Sequence, residues 1–97
     1  MKHSVRVTEA ARADLQGTFD FLSSQASPDR AHAYVTRITN FLARLEHFPE
    51  RGTIRDDVRP GMRIIGFERR ASVAFIVEGH EVVILRILYA GRQSDTF

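Results

Sequence analysis

The chain has 97 residues, 43% of them hydrophobic, which is enough to bury one core but too few for two ordinary domains. It contains no cysteine and starts without an apolar signal segment. We therefore exclude disulfides and thiolate metal sites, and expect a cytoplasmic protein without a membrane span. All 14 basic residues except Lys2 are arginines, yet the formal net charge is only +2. This arginine excess points equally to a GC-rich genome and to an anionic partner.

The first half of the chain predicts one strand and two helices. Residues 4–8 alternate between polar and apolar side chains, as in a half-buried strand. Thr8 then caps a first helix, and Ser27 followed by Pro28 marks the start of a second. The second helix has the strongest apolar periodicity in the chain, and we expect it to continue up to Pro49.

The second half predicts three strands after a long charged connection at residues 50–61. The strands cover residues 62–67, 71–77 and 81–89, and short turns join them as antiparallel hairpins. Residues 81–89 contain neither glycine nor proline and are apolar on both faces, which is typical of a central strand.

Arg86 is the only charge inside this last strand. A period of two places it with Val82, Ile84 and Leu88, and places the set Val83, Leu85, Ile87 and Tyr89 on the opposite face. We expect the main core on the Val83 side and a half-open surface on the Arg86 side.

These elements predict a single α+β domain spanning residues 1–97, with residues 90–97 as a polar tail. Its element order is β-α-α-β-β-β, with two helices packed on one face of a largely antiparallel four-stranded sheet. The pattern leaves open which edge of the sheet the first strand joins.

The residue patterns do not indicate a metal, a cofactor or a covalent nucleophile. His3, His32, His47 and His80 lie far apart and match no metal-binding spacing. The glycines form no phosphate-binding loop, and no serine lies in a nucleophile elbow.

Arginines are the remaining candidates for a binding role. The predicted strands direct Arg6, Arg63 and Arg86 to the sheet face opposite the helices, and Tyr89 and Arg92 extend that surface. Three cations on one exposed face indicate an anionic partner. An alternative explanation of equal weight is that each of these arginines forms a salt bridge to an acid of the same sheet.

Four segments carry a resemblance to a known family: residues 5–15 (VRVTEAARADL), 48–52 (FPERG), 61–63 (GMR) and 83–92 (VILRILYAGR). In composition, order and spacing they resemble the ParE/RelE superfamily of toxins from type II toxin–antitoxin systems. The FPERG turn and the long second helix are closer to the ParE branch. The family fold has the same β-α-α-β-β-β order.

The resemblance implies a toxin that inhibits growth by binding DNA gyrase, without being an enzyme and without a cofactor. A ParD-like cognate antitoxin would neutralise it in a hetero-oligomer. Gyrase or its bound DNA would then contact Arg6, Arg63, Arg86, Tyr89 and Arg92. An antitoxin segment would lie on the helices, at Leu15, Phe19, Arg37, Phe41, Arg44 and Leu45.

Two alternatives stay open. A RelE-like endoribonuclease would cut mRNA on the ribosome with Arg63, Arg86 and Tyr89. That reaction needs an acid and a base at the scissile phosphate, and the residues offer no convincing His or Glu for either role. The other alternative is a non-toxic binding member of the family.

Overall fold

Two helices and five strands make up the part of the chain that the computed structural model describes, residues 3–90. In chain order they are β1 (Ser4–Val7), α1 (Glu9–Gln25), α2 (Pro28–Arg44), β2 (Thr53–Ile54), β3 (Arg63–Phe67), β4 (Ala71–Glu78) and β5 (Glu81–Tyr89). The predicted α+β class and the two helices are confirmed. The sheet has one strand more than predicted, because the charged connection contributes the two-residue β2. No helix among these residues is both long and apolar enough to cross a bilayer.

The strands form one mixed sheet in the order β1-β5-β4-β3-β2. The neighbouring pairs from β2 to β5 are antiparallel, whereas β1 runs parallel to β5. A parallel neighbour requires a long crossover, which the two helices and the hairpins supply here. The first strand therefore joins the sheet beside the last one.

Local capping residues fix the start of both helices as predicted. The Thr8 hydroxyl oxygen accepts the Ala11 N–H at 3.2 Å, and the Ser27 hydroxyl oxygen accepts the Arg30 N–H at 3.1 Å. The end of α2 differs from the prediction, since the helix stops at Arg44 rather than at Pro49. Tight backbone turns over residues 45–47 close it.

A bulge in β5 decides which side chains face the helices. Ala74 of β4 pairs with Arg86, but Phe75 pairs with Ile84, so that Leu85 is an extra residue on β5. The bulge shifts the alternation by one residue, and the helix-side core takes Val82, Ile84 and Ile87 from β5. The predicted core on the Val83 side is therefore wrong before the bulge, whereas Ile87 faces the core as predicted.

The other face of the sheet carries a second apolar cluster. Val83 packs there with Met62, Ala74 and Ile76, and each of these four side chains is buried. The face predicted as a half-open surface around Arg86 therefore carries a buried apolar cluster of its own.

Candidate binding site

The three arginines predicted on one exposed face do not gather there. Register partners in a sheet share a face, and Arg63 is the partner of Phe75, which lies in the helix-side core. Arg6 and Arg86 pair with residues of the second cluster, on the opposite face. The expectation of a shared arginine face is therefore wrong.

Arg6 and Arg86 are also bound by acids of their own chain. The Arg6 Nε donates to a Glu81 carboxylate oxygen at 3.2 Å in an exposed pair. The Arg86 Nε and Nη2 donate to the two carboxylate oxygens of Asp14 at 2.8 and 3.0 Å. The sequence analysis offered salt bridges to acids of the same sheet as one explanation of these arginines, and Arg6 fits it. Arg86 instead binds an acid on helix α1.

Asp14 is a structural residue that the sequence analysis missed. Its carboxylate also accepts the Ile87 N–H at 2.8 Å, at the point where β1 has ended and the edge of β5 is open. One acid on α1 thus pairs with the Arg86 guanidinium and also accepts the backbone N–H of Ile87, which no neighbouring strand of the described chain reaches. The sequence does contain a sign of this role: Asp14 lies at helical spacing from Ala11 and Thr18, which places an acid on the buried face of α1.

Arg37 is bound to the β3–β4 turn. Its Nε and Nη2 donate to both carboxylate oxygens of Glu68, at 2.8 and 2.9 Å. The hydrogen bonds from Arg37 lower the pKa of the Glu68 carboxyl below its usual value. Glu68 and Arg69 have positive φ angles of 50° and 61°, a costly backbone conformation for residues other than glycine. The Arg37–Glu68 ion pair therefore connects α2 to a strained turn.

Most of the residues predicted to bind an antitoxin lie in or against the core. Leu45 is fully buried and Phe41 is 7% exposed, while Leu15 packs against the same core and Phe19 is half-buried. The guanidinium of Arg44 lies 5.7 Å from the centre of the Phe41 ring. Phe41 and Leu45 therefore leave little surface for an antitoxin segment, because the core already buries them.

The residues of the nuclease alternative are not assembled around one point. Tyr89 lies in the helix-side aromatic cluster, with its ring 5.4 Å from that of Tyr34. Through the register, Tyr89 is level with Phe67, at the opposite end of β3 from Arg63. Arg92 falls outside the described residues.

A cleft that the sequence analysis did not predict opens at the other end of the sheet, where β3 begins and β4 ends. It has a volume of about 770 Å³. Phe48, Pro49 and Val77 form its apolar wall. The polar lining consists of His3, His47, Glu50, Arg51 and Arg63, and the backbone of Gly61 completes it. We call this site the end cleft.

The loop that follows α2 forms the wall of the end cleft. Its bend depends on Gly52, which has a φ of +80°. A Cβ at this position would lie only 2.4 Å from the Ile64 carbonyl oxygen, which is too close for any other residue. Only glycine fits both conditions. The FPERG segment thereby holds Phe48 outward, 66% exposed, beside the start of β3.

The end cleft combines unpaired cations with exposed apolar surface. Within residues 3–90, neither Arg63 nor Arg51 has an ion pair or a side-chain hydrogen bond, although Arg51 lies over the Phe41 ring at 5.9 Å. Ile54 is 54% exposed and shares a face with Arg63, its register partner. Such a site can bind an acidic segment that also carries apolar side chains.

No cluster of His, Asp or Glu within the described range could hold a metal ion. The end cleft presents guanidinium, imidazole and carboxylate groups together with its apolar wall.

Comparisons with known proteins agree with this architecture. The family model described as ParE toxin of type II toxin-antitoxin system, parDE, matches residues 5–94. Toxin ParE3 of Caulobacter vibrioides is 35% identical over 81 residues, which cover 84% of this chain and 80% of that toxin. A structure of the chromosomal ParDE system of P. aeruginosa matches with a TM-score of 0.80 and 31% identity, over 91% of this chain and 96% of that one.

A more distant structure shares the fold alone. It is the toxin–antitoxin complex RelBE2 of Mycobacterium tuberculosis, with a TM-score of 0.65 and 19% identity over 92% of this chain and 99% of that one. The family match spans nearly the whole sequence, and the two relatives above 30% identity agree with it. The chain therefore belongs to the ParE toxin family of type II toxin–antitoxin systems.

Proposed function

We propose that this protein inhibits bacterial growth in the cytoplasm by binding DNA gyrase, and that a cognate antitoxin neutralises it in a hetero-oligomer. The observation that carries the proposal is the ParE family match over residues 5–94. The relative from P. aeruginosa described above belongs to a chromosomal ParDE toxin–antitoxin system, which supports an antitoxin as a partner here.

The placement of the basic residues supports a binding protein over a nuclease. A nuclease needs its groups within hydrogen-bond reach of one scissile phosphate. Here Arg63 and Tyr89 are at opposite ends of the sheet, and Arg86 is held by Asp14. Arginines that lie apart are better suited to contacts spread over a large partner surface.

The test begins with controlled expression of the chain in a bacterium, alone and together with the antitoxin gene found beside its own gene. We expect growth to stop in the first case and to continue in the second. Purified protein at excess should then inhibit supercoiling by gyrase and accumulate cleaved DNA. Topoisomerase IV serves as a second target, to measure how selective the effect is.

Two results would overturn the proposal. Normal growth with full-length protein in the cell would indicate the non-toxic binding alternative. Growth arrest with unchanged gyrase activity, together with cuts in the ribosomal A site by toeprinting, would replace gyrase by the ribosome as the target.

A further inference from the structure

The geometry points to the end cleft as the docking site for a short acidic segment of the cognate antitoxin. Carboxylates of that segment bind Arg51 and Arg63, while a neighbouring apolar side chain packs against Phe48 and Val77. The inference deepens the proposed function and rests on it, because it takes the antitoxin as the source of the segment.

The charge of Arg63 is the first argument. A half-buried guanidinium without an acidic partner is costly, since it has lost part of its hydration. Elsewhere in the described chain, the acids Asp14, Asp57, Glu68 and Glu81 each bind an arginine. None of these four acids binds Arg63. A carboxylate from another molecule would supply the missing partner.

The apolar wall is the second argument. Phe48 of this wall is 66% exposed beside Arg63. Ile54 does not line the cleft, but it is 54% exposed and is the register partner of Arg63. Exposed apolar area of this kind beside unpaired cations is typical of an interaction surface. Covering a phenylalanine side chain removes apolar area from water, so the wall adds to the affinity that charge pairing supplies.

The lining favours a peptide over a nucleic acid. Glu50 lies in the cleft and would repel a phosphate backbone, whereas a peptide can place an uncharged or basic residue near it. A guanidinium binds carboxylate and phosphate alike in a bidentate geometry, so the preference for a peptide depends on the charge of Glu50.

The experiment measures the affinity of the purified full-length antitoxin for variants of this protein by titration calorimetry. We expect Arg63→Glu and Arg51→Glu each to weaken binding by about tenfold or more, because repulsion replaces an ion pair. Arg69→Glu makes the same charge change at the β3–β4 turn, far from the cleft, and should stay within about twofold of the original protein.

Phe48→Ser tests the apolar half of the inference independently. Its side chain is largely exposed, so we expect the substitution to leave the core intact and the circular dichroism spectrum unchanged. We expect it also to weaken antitoxin binding by about tenfold. It keeps the inference testable even if Arg63→Glu does not fold.

The possible outcomes separate this inference from the proposed function. Tight binding by the original protein, with equal affinity for all the cleft variants, overturns the docking site and leaves the antitoxin partner intact. If the original protein does not bind the antitoxin at all, both fail. Binding of a fluorescent oligothymidylate that is lost in Arg63→Glu, with antitoxin affinity unchanged, identifies the cleft as a nucleic-acid site instead.

Discussion

Asp14 on α1 holds Arg86 on β5 through both carboxylate oxygens, and the same carboxylate accepts the Ile87 N–H. The Asp14 side chain is only 5% exposed. A single buried acid therefore connects the first helix to β5, the strand beside the β1 edge of the sheet. It also explains how a cation is tolerated in the most apolar strand of the chain.

Replacing Asp14 by alanine should destabilise the protein by about 2–3 kcal/mol, because Arg86 and the Ile87 N–H both lose their hydrogen bonds to the Asp14 carboxylate. The cost stays below that of a fully buried pair, since 37% of the Arg86 side chain is exposed. Asp14→Asn should cost less, because its amide oxygen still accepts the Ile87 N–H. Urea denaturation measures these differences. Asp20→Ala, an exposed acid on the same helix, should change stability by no more than about 0.5 kcal/mol.

Gly52→Ala should destabilise the protein by more than about 3 kcal/mol, since it adds a steric clash to the cost of a positive φ. Its Cβ would lie 2.4 Å from the Ile64 carbonyl oxygen. Gly79 is the matched control, with a φ of +61° and no atom within 4 Å of the added Cβ. Gly79→Ala should cost about 1 kcal/mol. Similar thermal shifts for the two variants would contradict the assigned close approach.

Glu68→Gln should lower the melting temperature at neutral pH and have no effect in acid. The hydrogen bonds from Arg37 lower the pKa of Glu68 in the folded protein, so the stabilisation is present above the ordinary glutamate pKa of about 4.3. It is lost as the pH falls through the folded-state pKa. Glu78 is exposed and has no ion pair within the described residues, so Glu78→Gln should show no such pH-dependent difference.

Tyr34→Phe should leave stability unchanged or raise it by up to about 1 kcal/mol at pH 7, because the buried hydroxyl has no hydrogen-bond partner in the described structure. Burial raises the pKa of Tyr34 above its usual value. The unfolded chain therefore loses this proton first, and the original protein should lose stability above about pH 10. Denaturation at pH 8 and pH 11 measures this loss, which Tyr34→Phe should reduce. An equal loss in both proteins would be evidence that the hydroxyl is solvated.

The sequence alone determined the order of all the elements except β2, and the helix starts, because these depend on local chemistry. Thr8, Ser27 and Pro28 act on backbone groups within three or four residues of themselves. The apolar periodicity of α2 likewise identified its buried face, including Ile38 and Leu42. Similarity of four segments was also enough to identify the family correctly.

The tertiary structure decided which side chains face the helices and which residues pair with one another. One extra residue, Leu85, reverses the alternation of β5, and no local pattern signals it. The parallel pairing of β1, the pairing of Asp14 with Arg86 and the end cleft all join residues that lie far apart in the chain. Side-chain direction and charge pairing depend on strand register, which is set by long-range packing; the candidate site could therefore not be located from the sequence.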